Sequence, residues 1–149
     1  LGIPTARVDT IPISKLTKAL GDFVKKVSPN IIYIPFISDV HTDHQIIGKA
    51  VHSFVKWFRY PFVKKILMYE TLSETDFNFI GNKIFKPNIF VDISNYMNDK
   101  INTMKIYESE LGNHPFPRSK KSILSLGSLR GSQSGYNYAE GFELVIERK

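Results

Sequence analysis

Two histidines three residues apart, His41 and His44, with Asp43 between them, are the side chains best suited to chemistry in this chain. Imidazole both binds metals and moves protons near neutral pH. Residues at i and i+3 project from one side of a helix start. The pair can share a metal ion, or one ring can bind metal while the other acts on a substrate. Spacing alone also allows surface or helix-capping histidines, with Asp43 a first-turn carboxylate favoured by the helix dipole.

The pair falls where an extended apolar run, Ile31-Ile32-Tyr33-Ile34-Pro35-Phe36, gives way to a helical pattern. A strand-to-helix junction holds side chains at the carboxyl edge of a sheet, where α/β proteins place ligands. The run suits a strand buried on both faces, as in a parallel sheet. The following helix carries Ile46, Ile47, Ala50, Val51, Phe54, Val55 and Phe58 as a broad apolar stripe, and Pro61 closes it. His44, Ile47 and Val51 lie at successive i+3 and i+4 steps, so His44 points with that stripe rather than toward bulk water. His52 falls on the outer face. Trp57 and Phe58 read as core or subunit interface.

The remaining elements complete an order of helix, strand, helix, strand, strand, helix, helix, strand. Leu16, Leu20, Phe23, Val24 and Val27 keep helical spacing, with Ser14 as N-cap and Pro29 as stop. Residues 65–70 and 89–93 read as strands. Ser94 caps a helix carrying Met97, Ile101, Met104 and Leu111, ended by Gly112. A shorter helix spans about 119–129, the Gly/Ser-rich segment 130–135 reads as a loop, and alternation from Phe142 to Glu147 predicts a final strand. Helix-separated apolar strands argue an α/β fold with a largely parallel sheet.

Composition sets outer limits. A chain of 149 residues is at most one domain with a real core. With no cysteine, disulfides and thiolate ligands are excluded, so a metal must use His, Asp or Glu. No apolar stretch is long enough to cross a bilayer, the start lacks a signal-peptide layout, and a cytoplasmic location is expected. The net charge of +6 favours anionic partners such as nucleotide-sugars or lipid phosphates. The basic residues are dispersed, which argues against a nucleic-acid binder; Trp57-Phe58-Arg59-Tyr60 is the one stretch that interleaves aromatics with charge.

The motifs resemble one family. Asp39-Val40-His41-Thr42-Asp43-His44 resembles the D-x-H-x-D-H motif of the PIG-L (LmbE-like) zinc-dependent N-deacetylases. Arg7-Val8-Asp9 stands where family members carry an Arg-Leu-Asp-like element. His114-Pro115-Phe116-Pro117-Arg118-Ser119 resembles the His-Pro-Arg-Ser element with two residues extra. Arg130-Gly131-Ser132-Gln133 and Tyr138-Ala139-Glu140-Gly141-Phe142-Glu143 resemble its Arg-Gly-Ser-Gln and Tyr-Ala-Glu-Ala-Phe-Glu ending. The family's Ala-His-Pro-Asp-Asp-Glu motif, which supplies two metal ligands and a general base, has no counterpart here. With Leu1 at the start, the sequence reads as a single partial domain, residues 1–149, the C-terminal portion of a longer deacetylase.

The resemblance implies a Rossmann-like fold lacking its N-terminal strand, a Zn2+ cofactor, and removal of an N-acetyl group from an N-acetylglucosamine-type conjugate. It implies His44 as a metal ligand and His41 as the catalyst that stabilises the oxyanion or protonates the leaving amine. Asp43 would hold His41 through its carboxylate, and Asp39 would be an outer partner of the site. Arg130 and His114 are candidates for substrate contact, His114 against a plain turn role. Glu140 and Glu143 read as structural. A site of His and Asp ligands also accepts iron, cobalt or nickel. Trimers or hexamers are compatible with the resemblance. Alone, the chain is expected to be inactive; the alternative is a non-catalytic carbohydrate-binding or subunit-pairing remnant of the same fold.

Overall fold

The computed structural model describes residues 2–80 and 83–149. Two compact units are present, Leu1–Lys86 with Glu143–Lys149, and Pro87–Phe142. The first unit holds a 3-10 turn Val8–Thr10, helix α1 Ile13–Val27, strand β1 Ile31–Pro35, helix α2 Thr42–Phe54 and strand β2 Lys65–Tyr69. The second holds strand β3 Ile89–Asp92, helix α3 Met97–Ile106, a 3-10 turn Glu108–Glu110 and helix α4 Lys120–Ser134. Strand β4, Ala139–Glu147, passes from the second unit into the first.

The sheet is mixed rather than largely parallel, with hydrogen-bonded order β1-β2-β4-β3. β1 and β2 pair in parallel, Ile31 opposite Lys65 through Pro35 opposite Tyr69. β3 and β4 pair antiparallel, Ile89 opposite Phe142 through Asp92 opposite Ala139. The connections explain the difference. One helix, α2, joins β1 to β2 and returns the chain to the edge it started from, so the strands run the same way. Two helices in succession join β3 to β4, and the second reverses that return.

The core of the first unit gathers Val24 from α1, Ile34 and Phe36 from β1 and its exit, Val51 and Phe54 from α2, and Ile66 and Met68 from β2. Phe85 meets Phe36 edge to face at 5.3 Å. A smaller cluster joins Val8, Leu16 and Ala50. It packs the 3-10 turn and α1 against α2, the helix that begins at the histidines.

Several boundaries differ from the sequence expectation. α1 starts one residue before Ser14, with Pro12 at the N-cap. α2 stops at Phe54, well short of Pro61. Phe54 and Tyr60 both enter the core with rings 5.4 Å apart, so the chain must turn between them. That turn leaves Trp57 and Phe58 on the surface of this chain, 65% and 59% exposed, rather than in the core. α3 begins after Ser94, whose hydroxyl is bonded to Asp92, and ends at Ile106 before an acidic stretch that a helix C-terminus disfavours. The segment 130–134 is the last turn of α4, not a loop. Its glycine permits close contact: a Cβ on Gly131 would sit 2.5 Å from the Tyr136 carbonyl oxygen. The left-handed residue that ends the helix is Gly135.

Gly48 sets how closely α2 approaches β1. A Cβ there would lie 2.8 Å from Ile37 Cγ2 and 3.0 Å from the Pro35 carbonyl oxygen. Gly48→Ala is expected to destabilise the chain by about 1–3 kcal/mol through overpacking, despite alanine's helix preference. Lys49→Ala, on the exposed side of the same turn, is expected to stay within about 0.5 kcal/mol. Urea unfolding of both variants checks this; equal stability would show that α2 does not depend on the close approach.

Candidate functional site

Four of the predicted residues, Asp39, His41, Asp43 and His44, come together between the end of β1 and the first turn of α2. Phe36 is fully buried and anchors the exit from the strand. The Asp39 N–H donates to the Phe36 carbonyl at 3.1 Å, closing a turn. Gln45 Nε2 donates to the Asp39 carbonyl at 2.7 Å, tying that turn to the helix.

Asp39 has no solvent exposure. A buried carboxylate is tolerated only when its oxygens are bonded. Oδ2 accepts from His44 Nδ1 at 2.7 Å, and Oδ1 accepts from the Thr75 hydroxyl at 2.6 Å. In the neutral ring, the Asp39 contact places the His44 proton on Nδ1, which leaves Nε2 as a lone-pair donor. The His44 side chain is 25% exposed, so part of the ring reaches solvent. Tyr69, at the carboxyl end of β2, has its phenol pushed up from the usual range, first by burial and then by the Asp39 charge.

His41 is the N-cap of α2, and its Nδ1 accepts the Asp43 N–H at 3.1 Å. Its proton therefore sits on Nε2. The His41 and His44 rings stack with centroids 4.9 Å apart and planes inclined by 17°. The two histidines thus differ chemically: His44 has Nε2 free to coordinate, and His41 has Nε2–H free to donate.

Asp43 acts otherwise than the sequence suggests. Its carboxylate accepts from the Ala6 N–H at 2.7 Å and the Val8 N–H at 3.2 Å. These donors belong to the segment entering the Val8–Thr10 turn, where backbone groups lack helical partners. The contact between Asp43 and His41 runs through the Asp43 backbone amide, not the carboxylate. The Arg7-Val8-Asp9 element is thereby fastened to the start of α2.

His114 and Arg130 belong to the second unit. His114 is exposed between α3 and α4. Arg130, half-buried on α4, donates from Nη1 to Gln133 at 2.9 Å. In the same unit Ser119 caps α4 by accepting the Ser122 N–H, and Glu140 pairs with Lys100. A cavity of about 400 Å³ there is lined by Ile101, Leu111, Ile123 and two lysines, and by none of the predicted site residues. In the first unit Glu143 accepts the Lys86 N–H and pairs with Lys83.

Thr75 and Tyr69 went unpredicted. Thr75 is 36 residues from Asp39 in sequence. The available signal was a hydroxyl-rich stretch, Thr71-Leu72-Ser73-Glu74-Thr75, just past the carboxyl end of a predicted strand.

Among the described residues, no group of three or more His, Asp or Glu side chains could hold a metal ion. Catalytic zinc takes three protein ligands. The donor set here offers one oriented imidazole, which by itself does not fit a complete zinc centre.

The Asp43 geometry predicts a local effect. Asp43→Ala is expected to speed amide exchange at Ala6 and Val8 by about tenfold or more, as loss of a charge-assisted hydrogen bond does. The His41 amide contact should survive, since it uses the backbone. Residue-resolved hydrogen exchange measures this; unchanged protection at Ala6 and Val8 would remove the carboxylate from its fastening role.

No protein-family model matches the chain. It is 24% identical over 135 residues to the diacetylchitobiose deacetylase of Thermococcus kodakarensis, a match covering 88% of this chain and 51% of that protein. The chain thus spans about half the length of that curated relative. The N,N'-diacetylchitobiose deacetylase from Pyrococcus horikoshii superposes with a TM-score of 0.68 at 19% identity, over 91% of this chain and 53% of the other. The conserved protein TT1542 from Thermus thermophilus also gives a TM-score of 0.68, at 21% identity, over 93% of this chain and 61% of its own. The chain therefore shares, across nearly all of its own length, the fold of the matched part of those two solved structures.

Proposed function

We propose that this chain contributes part of the active centre of a zinc-dependent amide hydrolase, one that removes an N-acetyl group from an N-acetylglucosamine-type conjugate. The observation that carries the proposal is the complementary state of two stacked histidines, one presenting a lone pair and the other an N–H. Support comes from the diacetylchitobiose deacetylase similarity and from the order of the motifs resembling the PIG-L (LmbE-like) enzymes.

In this proposal His44 provides one zinc ligand through Nε2, and the remaining ligands and the general base lie outside these 149 residues. A zinc ion held there would supply a Lewis acid that lowers the pKa of a bound water. The chain's own residues then do three things. Asp39 fixes the His44 ring and raises its basicity. His41 Nε2–H donates to the carbonyl oxygen as charge develops on it, the task of an oxyanion donor. Asp43 holds His41 through its amide, and the entering segment through its carboxylate. Arg130 and His114 are proposed as contacts to substrate hydroxyl or anionic groups. The net charge of +6 suits a sugar carrying a nucleotide or lipid phosphate.

The test is acetate release from N,N'-diacetylchitobiose with added zinc. The chain alone and a form extended at its amino end by its own upstream sequence are assayed together. Activity is expected only in the extended form, abolished by His44→Ala together with zinc binding. His41→Ala should bind zinc normally and lose about 100-fold or more in kcat, as removal of an oxyanion donor does. A folded, zinc-free and inactive extended form would overturn the proposal and leave a carbohydrate-binding scaffold.

A further inference from the structure

We infer that Thr75 is a positioning residue of this site, acting through Asp39 to hold His44 in the tautomer that leaves Nε2 unprotonated. The consequence for metal binding rests on the hydrolase proposal; the inference about the tautomer does not.

A carboxylate turns about its terminal bond, and an imidazole can flip or move its proton. The Asp39–His44 contact alone does not hold both groups in one arrangement. The Thr75 hydroxyl supplies what is missing. Its oxygen accepts the Thr71 N–H at 2.8 Å, and a backbone N–H can only donate. The hydroxyl proton is therefore directed away from Thr71 and into Asp39 Oδ1, at 2.6 Å. With Oδ1 occupied by a donor, Oδ2 faces Nδ1 as an acceptor. With Asp39 ionised the bonds run Thr71 N–H to Thr75, Thr75 to Asp39, and His44 Nδ1–H to Asp39. Bonds linked this way polarise one another.

The loop carrying Thr75 is itself fixed. The Glu74 and Thr75 N–H groups both donate to the Thr71 carbonyl, and the Glu74 carbonyl accepts from the Val40 N–H at 3.2 Å. The loop after β2 is thus bonded both to Asp39 and to the next residue, Val40. Without the hydroxyl, Oδ1 would be a buried charged oxygen with no donor from this loop. The carboxylate would turn to find one and release the ring.

The experiment is nitrogen NMR of the histidine-labelled chain, reading the tautomer of His44 from its ring couplings. The signal is assigned against His44→Gln among the four histidines. In the unaltered chain His44 is expected in the Nδ1–H form; finding the Nε2–H form would overturn the inference without any Thr75 variant. Thr75→Ser, which keeps the hydroxyl, should preserve the tautomer. Thr75→Val, which keeps the shape and loses the hydroxyl, should raise the Nε2–H fraction by about tenfold, the factor carried by one hydrogen bond to a charged group. A folded Thr75→Val with an unchanged tautomer also overturns it. The readout needs neither zinc nor substrate. Correct tautomers with no acetate release from the amino-terminally extended form would therefore sink the hydrolase proposal alone, and activity of that form with an indifferent tautomer would sink this inference alone.

Discussion

The hydrogen bond between the buried Asp39 carboxylate and His44 Nδ1 is the constraint around which the first unit is arranged. A charged group with no solvent contact must have its bonds made by the protein, or it costs several kcal/mol. Each neighbouring element meets part of that demand. The β1 exit turns back so that the Asp39 amide reaches Phe36, Gln45 reaches forward from α2 to the Asp39 carbonyl, and Thr75 arrives from the loop beyond β2. Three segments separated in sequence are thereby committed to one position.

The parallel pairing of β1 with β2 makes this convergence feasible. Parallel strands end on the same edge, and the register sets Pro35 opposite Tyr69. The Phe36 N–H continues the ladder to the Tyr69 carbonyl. The two exits therefore leave side by side, and Asp39 meets Thr75 after a few residues on each path. An antiparallel partner would have presented its amino end there instead. Gly48 completes the arrangement by letting α2 lie against the strand exit, one turn beyond His44.

How much of this was legible in the sequence follows from the range of each interaction. The element order and the strand-to-helix junction at the histidines depend on local apolar periodicity, and both are present. The two helices between β3 and β4 are legible as well, and a second helix reverses the strand direction; the expectation of a largely parallel sheet overlooked that count. The Arg130–Ser134 turn looks like a loop because glycine and serine are poor helix formers; contact with the Tyr136–Asn137 backbone overrides that preference. The Asp43 carboxylate is drawn to donors 35 and 37 residues upstream, a distance at which local spacing says nothing. Thr75 is hidden for the same reason.

The sequence also posed a choice between a histidine that caps a helix and a histidine that does chemistry, and the structure removes the opposition. A cap must accept an N–H, so capping commits His41 Nδ1 to a lone pair and forces its proton onto Nε2. His44, three residues on, is past the cap and meets a carboxylate instead, which commits its Nδ1 to a proton. The asymmetry between the two rings thus follows from their partners, the Asp43 amide for the capping ring and the Thr75-bonded Asp39 carboxylate for the ring in the first turn. Shifting the helix start by a residue would change both partners at once. An i, i+3 histidine pair that begins at an N-cap, with a buried carboxylate set against the second ring, in this way makes one acceptor and one donor from two identical side chains.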